Sequence, residues 1–329
     1  MGHRDRDVIG LPGLTHAAAV PDRNGMVWIP GGTFQMGSNL HYPEEGPVRR
    51  VAVDGFWIDH RSATVAEYEG FVAETGYVTV AERLPDSRDY PGADPALLKA
   101  GSIVFRPEQY VATRVPGSWW AFVAGACWRR PEGGADITAT RADHPVTQVA
   151  AEDAEAYALW AGKALPTEAE WEFAARGGLD GADYAWGDAF MPGGARLANT
   201  WPGPFPLPGE PGPNRFGTSR VGAFPPNGFG LSDMIGNVWE WTADYWVPRH
   251  PAGDTCCTLR NPRISEPTLS FDASQPAVRI PRRVLKGGSY LCAPNYCRRY
   301  RPAARHPEME DSATTNIGFR CVMRGRSYP

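Results

Sequence analysis

Long apolar runs are missing from this sequence. None of its 329 residues lie in a stretch near the roughly 18 apolar residues that a membrane-spanning helix needs, so no membrane partner is expected. An excess of one charge is missing too. Lys and Arg number 33 against 37 Asp and Glu, a formal charge of −4, which argues against an electrostatic grip on nucleic acid or anionic lipid. Cysteine is scarce: Cys127, Cys256, Cys257, Cys292, Cys297 and Cys321 are too few and too unevenly spaced to staple a chain of this size. No HExxH, GxSxG, P-loop or post-strand GxGxxG occurs, and the seven His are scattered. The opening segment, residues 1–25, interrupts every apolar run with charge, Pro or Gly. It reads as a flexible leader rather than a secretory signal, and the expectation is a cytoplasmic protein. With no repeat, heptad or exposed apolar stripe, a monomer with one domain over residues 26–325 is expected.

What the chain has in quantity is Gly (37), Pro (32) and aromatic residues (12 Trp, 12 Tyr, 13 Phe). Gly and Pro favour irregular backbone, while the aromatics exclude disorder, so a compact body with little regular structure is implied. Met26–Ile29 and Thr33–Met36, separated by Pro30-Gly31-Gly32, read as a hairpin. A second strand region falls around Asp54-Gly55. Helices are predicted over Val65–Thr75, capped by Thr64 and closed by Gly76; over Asp153–Trp160; and after Thr167, where Thr167 and Glu170 form a capping box and Gly177-Gly178 ends the turn. The segments 201–214, with six prolines, and 248–283 read as loops. The class is mixed, α+β, in a single domain.

Chemistry concentrates in Lys286-Gly287-Gly288-Ser289-Tyr290-Leu291-Cys292-Ala293-Pro294-Asn295-Tyr296-Cys297-Arg298-Arg299-Tyr300-Arg301. Five residues separate the two thiols by about 140° on a helix, or by roughly 16 Å along a strand. Ala293-Pro294-Asn295 is a turn sequence, however, and folds them within reach of a shared disulfide or a shared metal. Arg298, Arg299, Arg301 and Arg305 surround the pair with positive charge, which favours thiolate. Two soft sulfurs without histidine suit Cu(I) better than a hard ion. A second candidate is Asp233 to Trp241, where Asp233 and Glu240 flank a glycine in a stretch suited to Ca²⁺. The alternative is a turn leading into a core strand packed through Trp239 and Trp241. A four-thiolate zinc site including Cys256 and Cys257 lacks the usual CxxC knuckle.

Several blocks together resemble the formylglycine-generating enzymes, or sulfatase-modifying factors. They are MVWIPGGTFQMGS, ACWRRPEG, WAGKALPTEAEWEFAARGG, FPPNGFGLSDMIGNVWEWTADYW, KGGSYLCAPNYCRRYRPAAR and NIGFRC. The resemblance runs from Met26 to Cys321 and implies a fold distantly like C-type lectins. It implies an oxidase that uses O₂ and Cu(I) to convert the Cys of a sulfatase polypeptide carrying Cys-x-Pro-x-Arg to Cα-formylglycine. By the same carry-over Cys292 and Cys297 hold the copper, which leaves room for the substrate sulfur. Ser289 and Trp239 line the catalytic pocket, and Tyr290, Asn316 and Arg298 meet substrate. One Ca²⁺ is assigned to Asp233, Glu240, Gly236 and Val238. A second is assigned to Asn199, Thr200, Asn214 and Phe216. The sequence departs from many relatives at Arg130, at Ala150-Ala151 and over His306–Thr315. Ala158 and Ala175 replace disulfide cysteines of secreted relatives, consistent with a reducing compartment. The competing readings are a same-fold oxidase for another peptide or small thiol, and a non-catalytic binding module.

Overall fold

The computed structural model describes residues 25–207, 217–250 and 258–325. The leader expectation lies outside the described residues except for Gly25, as do Cys256, Cys257, Asn214 and Phe216. The first strands are β1 (Met26–Ile29), β2 (Gly32–Met36), β3 (Arg49–Val53) and β4 (Phe56–Asp59). They do not make the short hairpin that the sequence suggested. Instead β1 pairs with β4 and β2 with β3, in registers that run Ile29↔Phe56 and then Gly32↔Val53. The four strands are one long ribbon, kinked where Pro30-Gly31 faces Asp54-Gly55. Gly31 has φ +75°, and a Cβ there would lie 2.6 Å from the Val53 carbonyl oxygen, so the kink demands glycine.

α1 (Val65–Thr75) has the expected boundaries, with a Thr64–Glu67 capping box and Gly76 in the left-handed conformation. Next come β5 (Gly101–Phe105), α2 (Pro107–Thr113) and β6 (Trp120–Ala124). α2 escaped the sequence reading: its seven residues bury no side chain, so no apolar periodicity marks it. α3 (Ala151–Trp160) and α4 (Glu168–Arg176) follow, α4 starting at the Thr167 capping box and stopping at Gly177. The remaining strands are β7 (Trp239–Tyr245), β8 (Leu259–Arg260), β9 (Arg282–Lys286), β10 (Arg305–Met309), β11 (Ile317–Gly318) and β12 (Val322–Met323). β12 adds to the β1–β4 sheet, β8 to β2–β3, and the order β10-β9-β7-β11 makes the central sheet. The fold is mixed, with few helices and long connections. Among the described residues no helix is long and apolar enough to cross a membrane.

The core is aromatic. Tyr68 packs on Phe71, Trp128, Tyr157 and Phe319 at ring distances of 5.2–6.3 Å. Each such ring contributes on the order of 2 kcal/mol by leaving water. Buried ion pairs run through this core. Glu45 meets Arg301, Glu168 meets Arg305 at 2.8 Å, Glu172 meets Lys286 at 3.0 Å and Glu240 meets Arg320 at 2.7 Å. The paired charges join α4, β7, β9, β10 and the segment after β11. Glu240 of the GNVWEW block is thereby tied to Arg320 of GFRC, and Glu172 of WEFAAR to Lys286 of β9.

Candidate active site

The central sheet delivers the cysteines. β9 ends at Lys286, and Gly287-Gly288 follow at φ +91° and +72°. A Cβ on Gly288 would stand 2.8 Å from the Arg299 carbonyl oxygen, so the Gly-Gly step lets the Ser289 strand end pass against the chain that follows Cys297. The Cys292 N–H then donates to the Ser289 carbonyl at 2.9 Å. The N–H groups of Tyr296 and Cys297 both donate to Ala293, at 3.1 and 3.0 Å, closing the expected turn. The turn brings the two sulfurs to 3.2 Å, both cysteines free. That is too far for a disulfide and close enough for one S–H to bond the other sulfur.

The two thiols are unequal. Burial pushes the Cys292 thiol well up, and its S–H bonded to Cys297 reinforces the shift. That same hydrogen bond, helped by the Arg299 backbone N–H and guanidinium, brings the half-buried Cys297 thiol down to about 6. Of the four arginines expected to supply charge, only Arg299 serves this sulfur. Arg301 and Arg305 face Glu45 and Glu168, and the exposed Arg298 side chain bonds Tyr184.

Both sulfurs line a cleft of about 500 Å³ with Trp239, Ser289, Asn316, Arg299, His306 and Glu308. Its apolar walls include Trp120, Phe205 and Tyr296, the last two stacked at 4.1 Å. Thr314 Oγ1 donates to Asn316 Oδ1 at 2.7 Å, and Asn316 Nδ2 donates to Ser289 Oγ at 3.0 Å. Ser289 Oγ also accepts the Leu291 N–H at 3.3 Å. Trp239 stacks on His306 at 5.6 Å. Burial, then the Arg299 charge, lowers the His306 imidazole to about 4. Two predicted substrate contacts fall elsewhere. Tyr290 packs behind the cleft among Phe105, Trp119, Trp201 and Phe205, and Arg298 points outward. His306 and Glu308 were missed as cleft residues, because the pairing of β10 with β9 brings them to the cleft from positions that no motif links.

The residues fit a soft ion with two sulfur donors. Among the described residues no group of three or more His, Cys, Asp or Glu is placed to hold a metal. The expected calcium cage fits less well. Glu240 Oε1 accepts from Ser62 and Arg320 at 2.8 and 2.9 Å, and Oε2 from Trp171 and Arg320, both at 2.7 Å. Its acceptor sites are filled, and Arg320 supplies the cation that calcium would have provided. Asp233 Oδ2 takes the Gly222 N–H at 2.6 Å. Gly236 and Val238 belong to the tight buried approach to β7, where the Gly236 N–H donates to the Gly287 carbonyl at 2.9 Å. The Asn199 carbonyl accepts the Asn237 N–H at 2.8 Å, and Thr200 accepts from Arg196.

The model of the sulfatase-modifying factor enzyme 1-like domain matches residues 12–325. The chain belongs to that family. A formylglycine-generating enzyme of Mycobacterium tuberculosis is 52% identical over 302 residues, covering 90% of this chain and 97% of the relative. The family also holds an inactive Cα-formylglycine-generating enzyme 2 of Bos taurus, 37% identical over 90% of this chain and 87% of its own. Among solved structures, PvdO from Pseudomonas aeruginosa superposes with a TM-score of 0.54 at 24% identity, covering 90% of this chain and 93% of that one, and shares the fold. Because the family includes a relative named inactive, activity in this chain has to be argued from its own cleft.

Proposed function

We propose that the protein is a formylglycine-generating enzyme: it oxidises the Cys of a Cys-x-Pro-x-Arg segment of a sulfatase polypeptide to Cα-formylglycine, with O₂ as acceptor. The single observation that carries this reading is the 3.2 Å pair of free sulfurs lining an open cleft. A relative with that name at 52% identity supports it. Cys292 and Cys297 would hold Cu(I), which when bound supplies an electron path from the substrate thiolate to O₂.

The chain's own groups have definable tasks. Cys297, the lower-pKa thiol, is the first to present thiolate, and Arg299 holds that charge in place. Ser289 Oγ accepts from both Asn316 and Leu291, so its own proton is free to donate into the cleft. Ser289 thus positions an acceptor atom of the reacting pair. Trp239 and His306 form a stacked wall that excludes water from one side. The substrate gives up its β-hydrogen, its thiol proton and two electrons, which O₂ takes up as hydrogen peroxide or, with two further electrons from an external thiol, as water. Water then hydrolyses the resulting thioaldehyde to the aldehyde with release of hydrogen sulfide. The test is to incubate copper-loaded protein with Leu-Cys-Thr-Pro-Ser-Arg in air and follow peptide mass. Aldehyde formation that is lost in Cys292→Ser and in Cys297→Ser is expected. Undiminished turnover by either variant would remove the cysteine pair from the reaction.

A further inference from the structure

We propose that Glu308 is a specificity residue that receives a cationic side chain of the incoming polypeptide, an inference that rests on the reading of this cleft as a peptide site. β10 alternates its faces, so Glu308 follows His306 on the side that lines the cleft, two residues further along. The fully buried glutamates among the described residues are each matched to a cation: Glu45 to Arg301, Glu168 to Arg305, Glu172 to Lys286 and Arg176, and Glu240 to Arg320. Glu170, nearly as buried, meets Arg324. Glu308, half-buried in the cleft, differs: among the described residues it forms no ion pair, and Arg283, opposite it across the strands, is committed to Glu310 and Glu155. Its carboxyl is held by the Ser312 hydroxyl and the Met309 backbone N–H, and the nearby charge is that of Asp311, which has the same sign.

A carboxylate partly withdrawn from water with no counter-charge in contact carries a desolvation cost. Its burial pushes it up from the ordinary carboxylate range, and an arriving ammonium or guanidinium relieves that cost. The same cleft offers Ile103, Trp120 and Met309, apolar surface against which the methylenes of a Lys or Arg pack while the head reaches the carboxylate. The other charged group lining the cleft, Arg299, is already held by Glu44 at 2.6 Å and stacked over Tyr42 at 3.8 Å. It repels a second cation from its own end. The cleft is therefore polarised, with positive charge at the sulfurs and negative charge at Glu308. That arrangement accepts a peptide whose thiolate and basic side chain lie apart.

The test separates binding from chemistry. Fluorescein-labelled peptides with Ser in place of the reactive Cys are titrated against the wild-type protein and Glu308→Gln, with anisotropy as the readout. The series places Lys at each position in turn, and includes a version with the motif Arg replaced by Gln. At one position a positive charge is expected to tighten binding to the wild type by about 10-fold or more, as for a charge-assisted hydrogen bond, and to Glu308→Gln by less than twofold. Unchanged binding of the neutral peptide shows that the variant is folded. Charge effects identical in the two proteins at every position would overturn the proposal. Absence of binding to any peptide would overturn it together with the peptide-site reading. Oxidation of a Cys peptide without Glu308-dependent charge preference would overturn this inference alone. Charge-selective binding without oxidation would support it and defeat the enzymatic reading.

Discussion

The Arg299 guanidinium lies over the Tyr42 ring at 3.8 Å, fixed there by Glu44 on one side while it faces the Cys297 sulfur on the other. A flexible cation would lose entropy on approaching the thiolate, whereas this one is already ordered. The Cys292 S–H bond and Arg299 together bring the Cys297 thiol to about 6. Thiolate is the alkylating form, so reactivity is present above pH 6 and lost as pH falls below it. In metal-free protein, iodoacetamide labelling of Cys297 is expected to show a midpoint near 6. In Arg299→Ala the midpoint moves up by about one unit, since a charge within hydrogen-bond reach is worth about that much. Labelling followed by mass spectrometry across pH reads both values, and an unmoved midpoint would mean that Arg299 does not act on the sulfur.

Arg320 is the partner that completes Glu240. Both groups are buried, and removing one leaves the other charged and uncompensated. Arg320→Met is therefore expected to cost about 3–5 kcal/mol in a urea unfolding experiment. A control lies at Arg61–Glu67, half-exposed at 2.9 Å, where Arg61→Ala is expected to cost less than about 1 kcal/mol. Equal losses at the two sites would mean that burial does not set the importance of the Glu240 pair.

Thr167 and Glu170 cap α4 reciprocally: the Glu170 N–H donates to Thr167 Oγ1 at 3.2 Å, and the Thr167 N–H to Glu170 Oε2 at 2.7 Å. This helix carries Glu168 and Glu172 into the buried charge network, so fraying at its first turn disturbs Lys286 and Arg305 as well. Thr167→Ala is expected to lower stability by about 1 kcal/mol, and Thr167→Ser to retain most of it. Thermal melts of the two variants decide this, and equal melting temperatures would contradict the cap's role.

This cap also shows what was legible in the sequence. Thr167, Glu170 and Gly177 are local signals read within one turn of chain, and α1 and α4 emerged with the predicted boundaries. The turn at Ala293-Pro294-Asn295 is equally local, and it brought Cys292 and Cys297 together. Long-range pairing was hidden. Pro30-Gly31 looked like a hairpin turn because a kink opposite Asp54-Gly55 uses the same residues as a reversal. Arg301 and Arg305 looked like neighbours of the thiols because their partners, Glu45 and Glu168, lie more than 130 residues away. The ion-pair partner of Glu240 was hidden for the same reason: Arg320 reaches it from 80 residues downstream. His306 and Glu308 joined the cleft only through the register of β10 on β9.

His306 carries a pH dependence that can be isolated. Its imidazole is held at about 4 in the folded protein, by burial first and the Arg299 charge second, against an ordinary value of about 6.5. Between pH 6.5 and 4 the unfolded chain binds a proton that the folded chain does not, so this residue makes stability rise with pH across that window. The contribution is fully present above pH 6.5 and is lost as pH falls toward 4, amounting to about 3 kcal/mol over the whole interval. Asp153 and Asp244, raised by burial to about 6, act in the opposite direction over pH 4–6, so the total slope of the wild type does not report His306 alone. The difference between wild type and His306→Phe does, because Phe keeps a ring against Trp239 and removes the titration. Unfolding free energies from urea at pH 7 and pH 5 are expected to fall more in the wild type than in His306→Phe, by about 2 kcal/mol. Parallel losses in the two proteins would show that His306 titrates in the folded state as it does in water.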